Sequence, residues 1–145
     1  MGISKFFTAE QKKEITEAIK SAELNTSGEI RIHIESRCKI DVLDRASVIF
    51  SQLKMHKTEQ RNGVLFYVAI DDHKFAILGD AGINEKVPDN FWDNETETVI
   101  NHFKEKKYTE GLCKGIIMAG EQLKEHFPYQ TDDVNELSDD ISFGK

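Results

Sequence analysis

Hydrophobic and polar residues alternate along Glu29–Glu35, where three isoleucines lie on one face and four polar side chains on the other. This alternation predicts a strand with one buried face. Residues 64–70 form an unbroken apolar run, which is typical of a strand covered on both faces. Another apolar run, 75–78, follows after the turn-forming residues 71–74. The two runs therefore predict a β-hairpin.

Four other stretches repeat their apolar residues at the three- and four-residue spacing of amphipathic helices. Thr8 and Gln11 have the spacing of a capping box at the start of the first stretch, and Pro88 suits the first turn of the third. The predicted helices cover about 9–23, 41–53, 88–106 and 109–127. The predicted buried stripe of the second helix consists of Val42, Leu43, Ala46, Ile49, Phe50 and Leu53.

The order of these elements predicts the architecture. A strand, a helix and a second strand in succession favour a right-handed crossover, so the first two strands should be parallel. The hairpin then adds an antiparallel strand, which makes the sheet mixed. Helices on both faces give an α/β fold, specifically a three-layer α/β/α sandwich with a short mixed β-sheet.

The domain is predicted to cover residues 1–128, and 129–145 to form an acidic tail. The tail contains five acidic residues and one basic residue, so we expect it to be largely flexible. An alternative is a docking tail, in which four apolar residues anchor on a partner or on the domain itself. These residues are Val134, Leu137, Ile141 and Phe143.

Composition narrows the classes of function. With 26 acidic and 19 basic residues the formal net charge is −7, which disfavours nucleic acid and anionic lipid as partners and favours cations. Cys38 and Cys113 are too few for a disulfide scaffold and fit a reducing compartment. The N-terminal residues lack the apolar core of a signal peptide, and no run is long enough to span a bilayer. We expect a soluble, cytoplasmic protein that does not bind membranes.

Several side chains with oxygen atoms that could bind a metal ion lie at one end of the predicted sheet. Glu29 begins the first strand, and Asp80 and Asn84 follow the hairpin, where glycines also let backbone carbonyls approach an ion. Ca²⁺ accepts such a set of hard oxygens with loose geometry, and zinc does not prefer it. The alternative is that Asp80 and Asn84 cap turns through their own backbone neighbours.

Two further groups of polar residues are candidates. Asp71 and Asp72 lie at the opposite end, where they form either an ordinary hairpin turn or a second cation site. His56, Arg61 and Asn62 lie in the loop before the second strand, and an arginine beside a carboxylate-bound cation is a layout that holds phosphate. Alternatively, Arg61 pairs with one of the surplus acids.

Nucleophilic catalysis finds little support in the sequence. Ser36 lies in no nucleophile elbow, and Cys38 has no activating base nearby in the chain. His33 and Arg31 share the polar face of the first strand with acidic residues, so we expect Glu–His or Glu–Arg pairs there for structural reasons.

Four ordered motifs resemble the TPM domain family, which includes thylakoid-lumen acid-phosphatase-like and photosystem-repair proteins. The matching segments are 27–31 (Ser-Gly-Glu-Ile-Arg), 62–69, 75–83 and the pair Phe91 and Trp92. The resemblance extends over about 6–128 and suggests a small soluble bacterial member. Relatives often carry a signal peptide and a membrane anchor. They also show Gly-Tyr-Gly or Gly-Arg-Gly where this chain reads Gly-Asp-Ala-Gly.

The resemblance implies an α/β/α sandwich that binds Ca²⁺ or Mg²⁺ in acidic loops. The matching acids are Glu29 and Asp80, with Asp71 and Asp72 as a second match. We therefore expect a divalent-cation-binding domain with an accessory or binding role. The alternatives are a weak metal-dependent acid phosphatase and an interaction module that uses its acidic tail to bind an unidentified protein partner.

Overall fold

The structure is a computed structural model that describes residues 3–129 and 137–144. After a short 3₁₀ turn at Ile3–Lys5, the described chain forms five helices and four strands in the order α1-β1-α2-β2-β3-α3-α4-α5-β4. The helices are α1 (Ala9–Glu23), α2 (Val42–Gln52), α3 (Ala81–Asn84), α4 (Asp93–Lys104) and α5 (Tyr108–Leu123). The strands are β1 (Glu29–Glu35), β2 (Gly63–Ala69), β3 (Lys74–Gly79) and β4 (Ser142–Phe143).

The strands form a single mixed sheet in the order β3-β2-β1-β4. β1 and β2 are parallel, with Glu29 opposite Gly63 and Glu35 opposite Ala69. β2 and β3 form the antiparallel hairpin. The predicted strand directions and the mixed sheet are therefore confirmed.

Each face of the sheet carries its own hydrophobic core. The three isoleucines of β1 are fully buried on one face, together with residues of α1, α4 and α5. Ala46, Ile49 and Phe50 of α2 cover the other face, where they pack with Leu65 and Tyr67. Because helices cover both faces, the fold is the predicted three-layer α/β/α sandwich. No helix in the described ranges has both the length and the apolar character needed to cross a membrane.

The predicted starts of α1 and α2 are confirmed, whereas the predicted start of α4 at Pro88 is wrong. The Thr8 hydroxyl accepts from the Gln11 amide, and the Gln11 side chain accepts from the Thr8 amide, which completes the capping box. At the start of α2, the Asp41 side chain accepts from the Leu43 and Asp44 amides. Pro88 instead lies in a loop before α4, since the Phe91 amide donates to its carbonyl and closes a tight turn. Leu43 is 53 % exposed, so it is not part of the buried stripe.

The short helix α3 was not anticipated. Asp80 caps it, and it begins where the sequence predicted only a glycine-rich turn. At Gly82 a Cβ atom would lie 2.2 Å from the Gln60 carbonyl oxygen, so no larger residue fits between α3 and the loop. Gly82 therefore allows the backbones to approach closely, and its amide donates to the Arg61 carbonyl.

The described part of the tail packs on the domain. β4 runs parallel to β1, and the Gly144 amide donates to the Ile34 carbonyl at 2.9 Å. Leu137 is buried, while Ile141 and Phe143 pack against the core as partly buried residues. Residues 137–144 thus pack against the domain, as in the alternative of a tail that docks on its own domain. Val134 lies outside the described residues.

Leu137→Ala is expected to cost about 2–3 kcal/mol of unfolding free energy, because it removes a buried leucine side chain and leaves a cavity. Leu137 is 9 % exposed in the structure, whereas Leu24 is 69 % exposed and serves as the matched control. Chemical denaturation of both variants measures the difference. Equal, small effects would show that the tail does not dock through Leu137.

Candidate functional site

The polar candidates lie at two opposite ends of the sheet, as the strand directions predicted. At one end, the Glu29 amide donates to the Asn62 carbonyl, and the Asp80 amide donates to the Gly63 carbonyl. At the other end, the Asp71 amide donates to the Ser36 carbonyl at 2.8 Å. The hairpin turn therefore lies beside the end of β1.

Asp80 is engaged by an arginine from the preceding loop. Arg61 Nε and Nη2 donate to its two carboxylate oxygens at 2.7 and 2.8 Å, and the Ala81 amide donates to Oδ1 at 2.8 Å. Asp80 is buried, whereas half of the Arg61 side chain is exposed. The carboxylate of Asp80 raises the pKa of Arg61. Asp80 thus caps α3 and pairs with Arg61, and both of its oxygens are already in use.

The other candidates at this end hold the loops together. The Asn84 amide group donates to the Gly79 carbonyl, and the Asn62 amide group donates to the Ser27 carbonyl. Asn62 is buried and its own backbone amide donates to the Thr58 hydroxyl. His56 is an exposed residue of the loop between α2 and β2. None of these contacts assembles His56, Arg61 and Asn62 into a single anion site.

Glu29 faces the tail. Its Oε1 accepts from the Leu137 amide at 2.7 Å. Glu23 and Asp139 lie nearby, and burial together with a hydrogen bond to Asp139 raises the pKa of Glu23 to about 9. Within the described residues, no three His, Cys, Asp or Glu side chains are grouped so that they could hold a metal ion.

The hairpin end presents two adjacent carboxylates. Asp72 Oδ2 accepts from the Cys38 amide at 2.7 Å, and Lys74 Nζ donates to the Cys38 carbonyl at 3.1 Å. These bonds fix the loop between β1 and α2 against the hairpin. Asp71 is exposed, and its carboxylate forms no hydrogen bond or ion pair with another described residue. It is the least engaged of the candidate acids.

A buried polar network lies at the end of β1. It contains a Glu–His pair of the kind that the sequence predicted, together with bonds from Arg45 and Tyr67 that the sequence did not reveal. Glu35 is 2 % exposed and accepts two hydrogen bonds from Arg45, at 2.8 and 3.0 Å. The hydroxyl of Tyr67 and Nε2 of His33 also bond to it. Burial alone would raise the pKa of Glu35, but the bonds from Arg45, Tyr67 and His33 outweigh it and lower the pKa to about 2. Glu35 is therefore ionised at neutral pH.

His33 connects this network to the tail. Its Nε2 lies 3.2 Å from Glu35 Oε1, and its Nδ1 lies 2.8 Å from the Ser142 hydroxyl. A carboxylate only accepts hydrogen bonds, so Nε2 carries the proton and Nδ1 accepts from Ser142. Burial lowers the pKa of His33, which keeps the ring neutral. Although the order Ser–His–Glu matches that of a hydrolase relay, a buried ring with a lowered pKa is a poor proton acceptor, and we assign it a structural role.

The fold and these contacts define a small α/β/α domain with acidic loops at both ends of a mixed sheet. A family model described as the TPM domain matches residues 3–122. The chain therefore belongs to the TPM domain family, as the sequence motifs indicated.

Three solved structures resemble the chain closely in fold. The NMR structure of the BA42 protein from the psychrophilic bacterium Bizionia argentinensis is 48% identical, with a TM-score of 0.92 and 98% of each chain covered. The N-terminal domain of a P. gingivalis protein is 16% identical, with a TM-score of 0.70, and covers 89% of this chain and 85% of its own. The N-terminal domain of the cg2496 protein from Corynebacterium glutamicum is 10% identical, with a TM-score of 0.64, and the match covers 97% of this chain and 82% of that domain. The last two share the fold only. Comparison with curated proteins gives no match.

Proposed function

We propose that this TPM domain is a binding module that holds a divalent cation, Mg²⁺ or Ca²⁺, at the hairpin end through Asp71 and Asp72. The observation that carries the proposal is the contrast between the two ends. The exposed Asp71 carboxylate forms no bond to another described residue, whereas both oxygens of Asp80 are bonded to Arg61. A cation at Asp80 would first have to displace that arginine.

The donor set at the hairpin fits a weak, partly hydrated site. Asp72 uses Oδ2 to hold the Cys38 amide, so Asp71 and the other oxygen of Asp72 are the available ligands. Mg²⁺ is commonly bound by one or two carboxylates and keeps several waters, while weak Ca²⁺ modules have dissociation constants of about 10⁻⁴–10⁻³ M. The formal net charge of −7 produces a long-range field that attracts cations. We therefore expect binding in that weak range.

Isothermal titration of the chelator-treated protein with Mg²⁺ and Ca²⁺ tests this site. Asp71→Asn is expected to weaken binding about tenfold or more, because it removes a charged ligand. Asp89→Asn, which changes an exposed acid before α4, is the matched control and should change affinity less than about twofold. Loss of binding in Asp80→Asn with retention in Asp71→Asn would contradict the assignment.

An activity assay on the same protein samples distinguishes a binding role from a catalytic one. Hydrolysis of p-nitrophenyl phosphate with saturating Mg²⁺ is measured alongside each titration. A binding role predicts cation affinity without turnover. Turnover that needs the cation and falls in Asp71→Asn would instead make the domain a metal-dependent phosphatase.

A further inference from the structure

A cleft opens beside the buried Glu35 network, at the carboxyl end of β1. Its walls are the loop 36–40, the inner side of α2 and the strand β4. The cleft has a volume of about 810 Å³, which falls within the range of roughly 300–1,000 Å³ that is typical of small-molecule sites. Ligands of open α/β sheets commonly bind beyond the carboxyl ends of the strands, which is where this cleft lies.

The charges in the cleft are opposite to that of the whole chain. Arg37, Lys39 and Arg45 line it, and among the described residues that line it Glu35 is the lone carboxylate. Arg45 is already paired with Glu35. Arg37 and Lys39 are exposed and form no ion pair with another described residue. Two unpaired cations therefore face a cleft in a protein whose formal net charge is −7.

The remaining wall is largely apolar. Ile40, Ile49 and Leu53 contribute to it, and Ile40 is 50 % exposed. Burial of such side chains against a ligand is favourable in proportion to the apolar area removed from water. A fully polar ion would leave this wall uncovered, so the cleft suits a ligand with an apolar part.

We propose that this cleft binds an amphipathic anion, a small molecule with an apolar body and one carboxylate or phosphate group. Arg37 and Lys39 contact the anionic group, since Arg offers a bidentate fork and Lys a mobile point charge. Ile40 and Leu53 contact the apolar body. Because β4 supplies part of the wall, the docked tail completes the site. The inference is independent of the cation proposed at the hairpin.

The experiment follows backbone amide shifts by NMR while the protein is titrated with octanoate in the presence of a chelator. Octyl phosphate, octanol and inorganic phosphate are titrated in parallel. We expect saturable shifts in 36–40 and 142–144 with octanoate or octyl phosphate, and the preference between these two identifies the anionic group. Octanol and phosphate should each bind at least about tenfold more weakly, because each lacks half of the recognised chemistry.

Variants locate the site. Arg37→Gln combined with Lys39→Gln should weaken octanoate binding about tenfold or more, while Lys57→Gln, at an exposed lysine outside the cleft, should change it less than about twofold. Asp89→Asn, at an exposed acid outside the cleft, should likewise leave octanoate binding unchanged. Amide spectra of each variant confirm that it folds.

Three outcomes would overturn the inference. The first is no saturable shift with either amphipathic anion, and the second is equal binding of octanol. The third is association with anionic lipid vesicles in a sedimentation assay without binding of octanoate, since that would assign the cations and Ile40 to a membrane surface.

Discussion

Arg45→Ala is expected to lower the free energy of unfolding by about 3 kcal/mol, one of the two largest effects that we predict. The substitution leaves Glu35, which is 2 % exposed, without the two hydrogen bonds that offset most of its desolvation. Removal of one partner from a buried ion pair typically costs about 3–5 kcal/mol. The side chain of Arg45 is 32% exposed, and His33 and Tyr67 still bond Glu35, so the lower end of that range applies.

Urea denaturation at neutral pH measures this loss. The control is Lys114→Ala, which breaks an exposed pair with Glu110 that has a separation of 3.9 Å. Exposed pairs contribute about 0–1 kcal/mol, so the control should lose little stability. Arg45→Lys keeps the charge but not the bidentate geometry, and should fall between the two. Equal losses in Arg45→Ala and Lys114→Ala would contradict the role of the network.

The same network has a predictable pH dependence. Because the folded-state pKa of Glu35 is about 2 and its ordinary value is 4.5, its ionised form stabilises the folded state above pH 4.5. That contribution is lost as the pH falls from 4.5 towards 2. In Arg45→Ala this loss on acidification should be smaller, because the carboxylate has lost its strongest partner.

Glu95→Gln is expected to stabilise the protein above pH 7 and to have a much smaller effect at pH 4. Glu95 lies on α4, is fully buried, and neither of its carboxylate oxygens has a hydrogen-bond partner among the described residues. Burial raises its pKa from 4.5 to about 7. The folded state therefore holds a proton that the unfolded chain releases between pH 4.5 and 7, so its stability falls as the pH rises through that window.

A pKa difference of this size corresponds to a change of about 3 kcal/mol in the free energy of unfolding across the window. The comparison is between the pH profiles of unfolding free energy for the natural chain and Glu95→Gln. The difference between the two profiles should grow from pH 4.5 to pH 7 and then level off. Glu97→Gln, at an exposed residue of the same helix, is the control. Parallel profiles for Glu95→Gln and the natural chain would mean that Glu95 does not titrate in this window.

Local patterns were sufficient to predict most of the fold. The alternation in β1 separated its apolar face from its polar face, but the prediction of a single buried face was wrong, because Glu29, His33 and Glu35 on the polar face are buried as well. The uninterrupted apolar residues of β2 indicated a strand buried on both sides. The capping box at Thr8 fixed the start of α1. Each of these features depends on residues that are close together in the chain, so it can be recognised directly from the sequence.

The polar contacts of the site depend instead on tertiary structure. Arg45 meets Glu35 from a helix ten residues away, and Ser142 reaches His33 across 109 residues. Nothing in the spacing of these residues indicates the contact. The alternation in β1 indicated a Glu–His pair, and the parallel register, which places His33 opposite Tyr67, offers a further clue once the pairing of β1 with β2 is known.

The choice between the two acidic ends also required the structure. Glu29 and Asp80 looked as suitable as Asp71 and Asp72 from residue type alone. The pairing of Asp80 with Arg61, 19 residues apart, uses the oxygens that a cation would need. The alternative prediction, in which Arg61 pairs with an acidic residue, is therefore confirmed at this end of the sheet, where its partner is Asp80.

The most direct test of the cation proposal is a map of amide shifts in the chelator-treated protein as Mg²⁺ and then Ca²⁺ are added. We expect saturable shifts at Asp71, Asp72 and the neighbouring Cys38 amide, with little change around Gly79–Asp80 and Asn84. Shifts confined to that second group and to Glu29, or a flat response at millimolar cation, would contradict it.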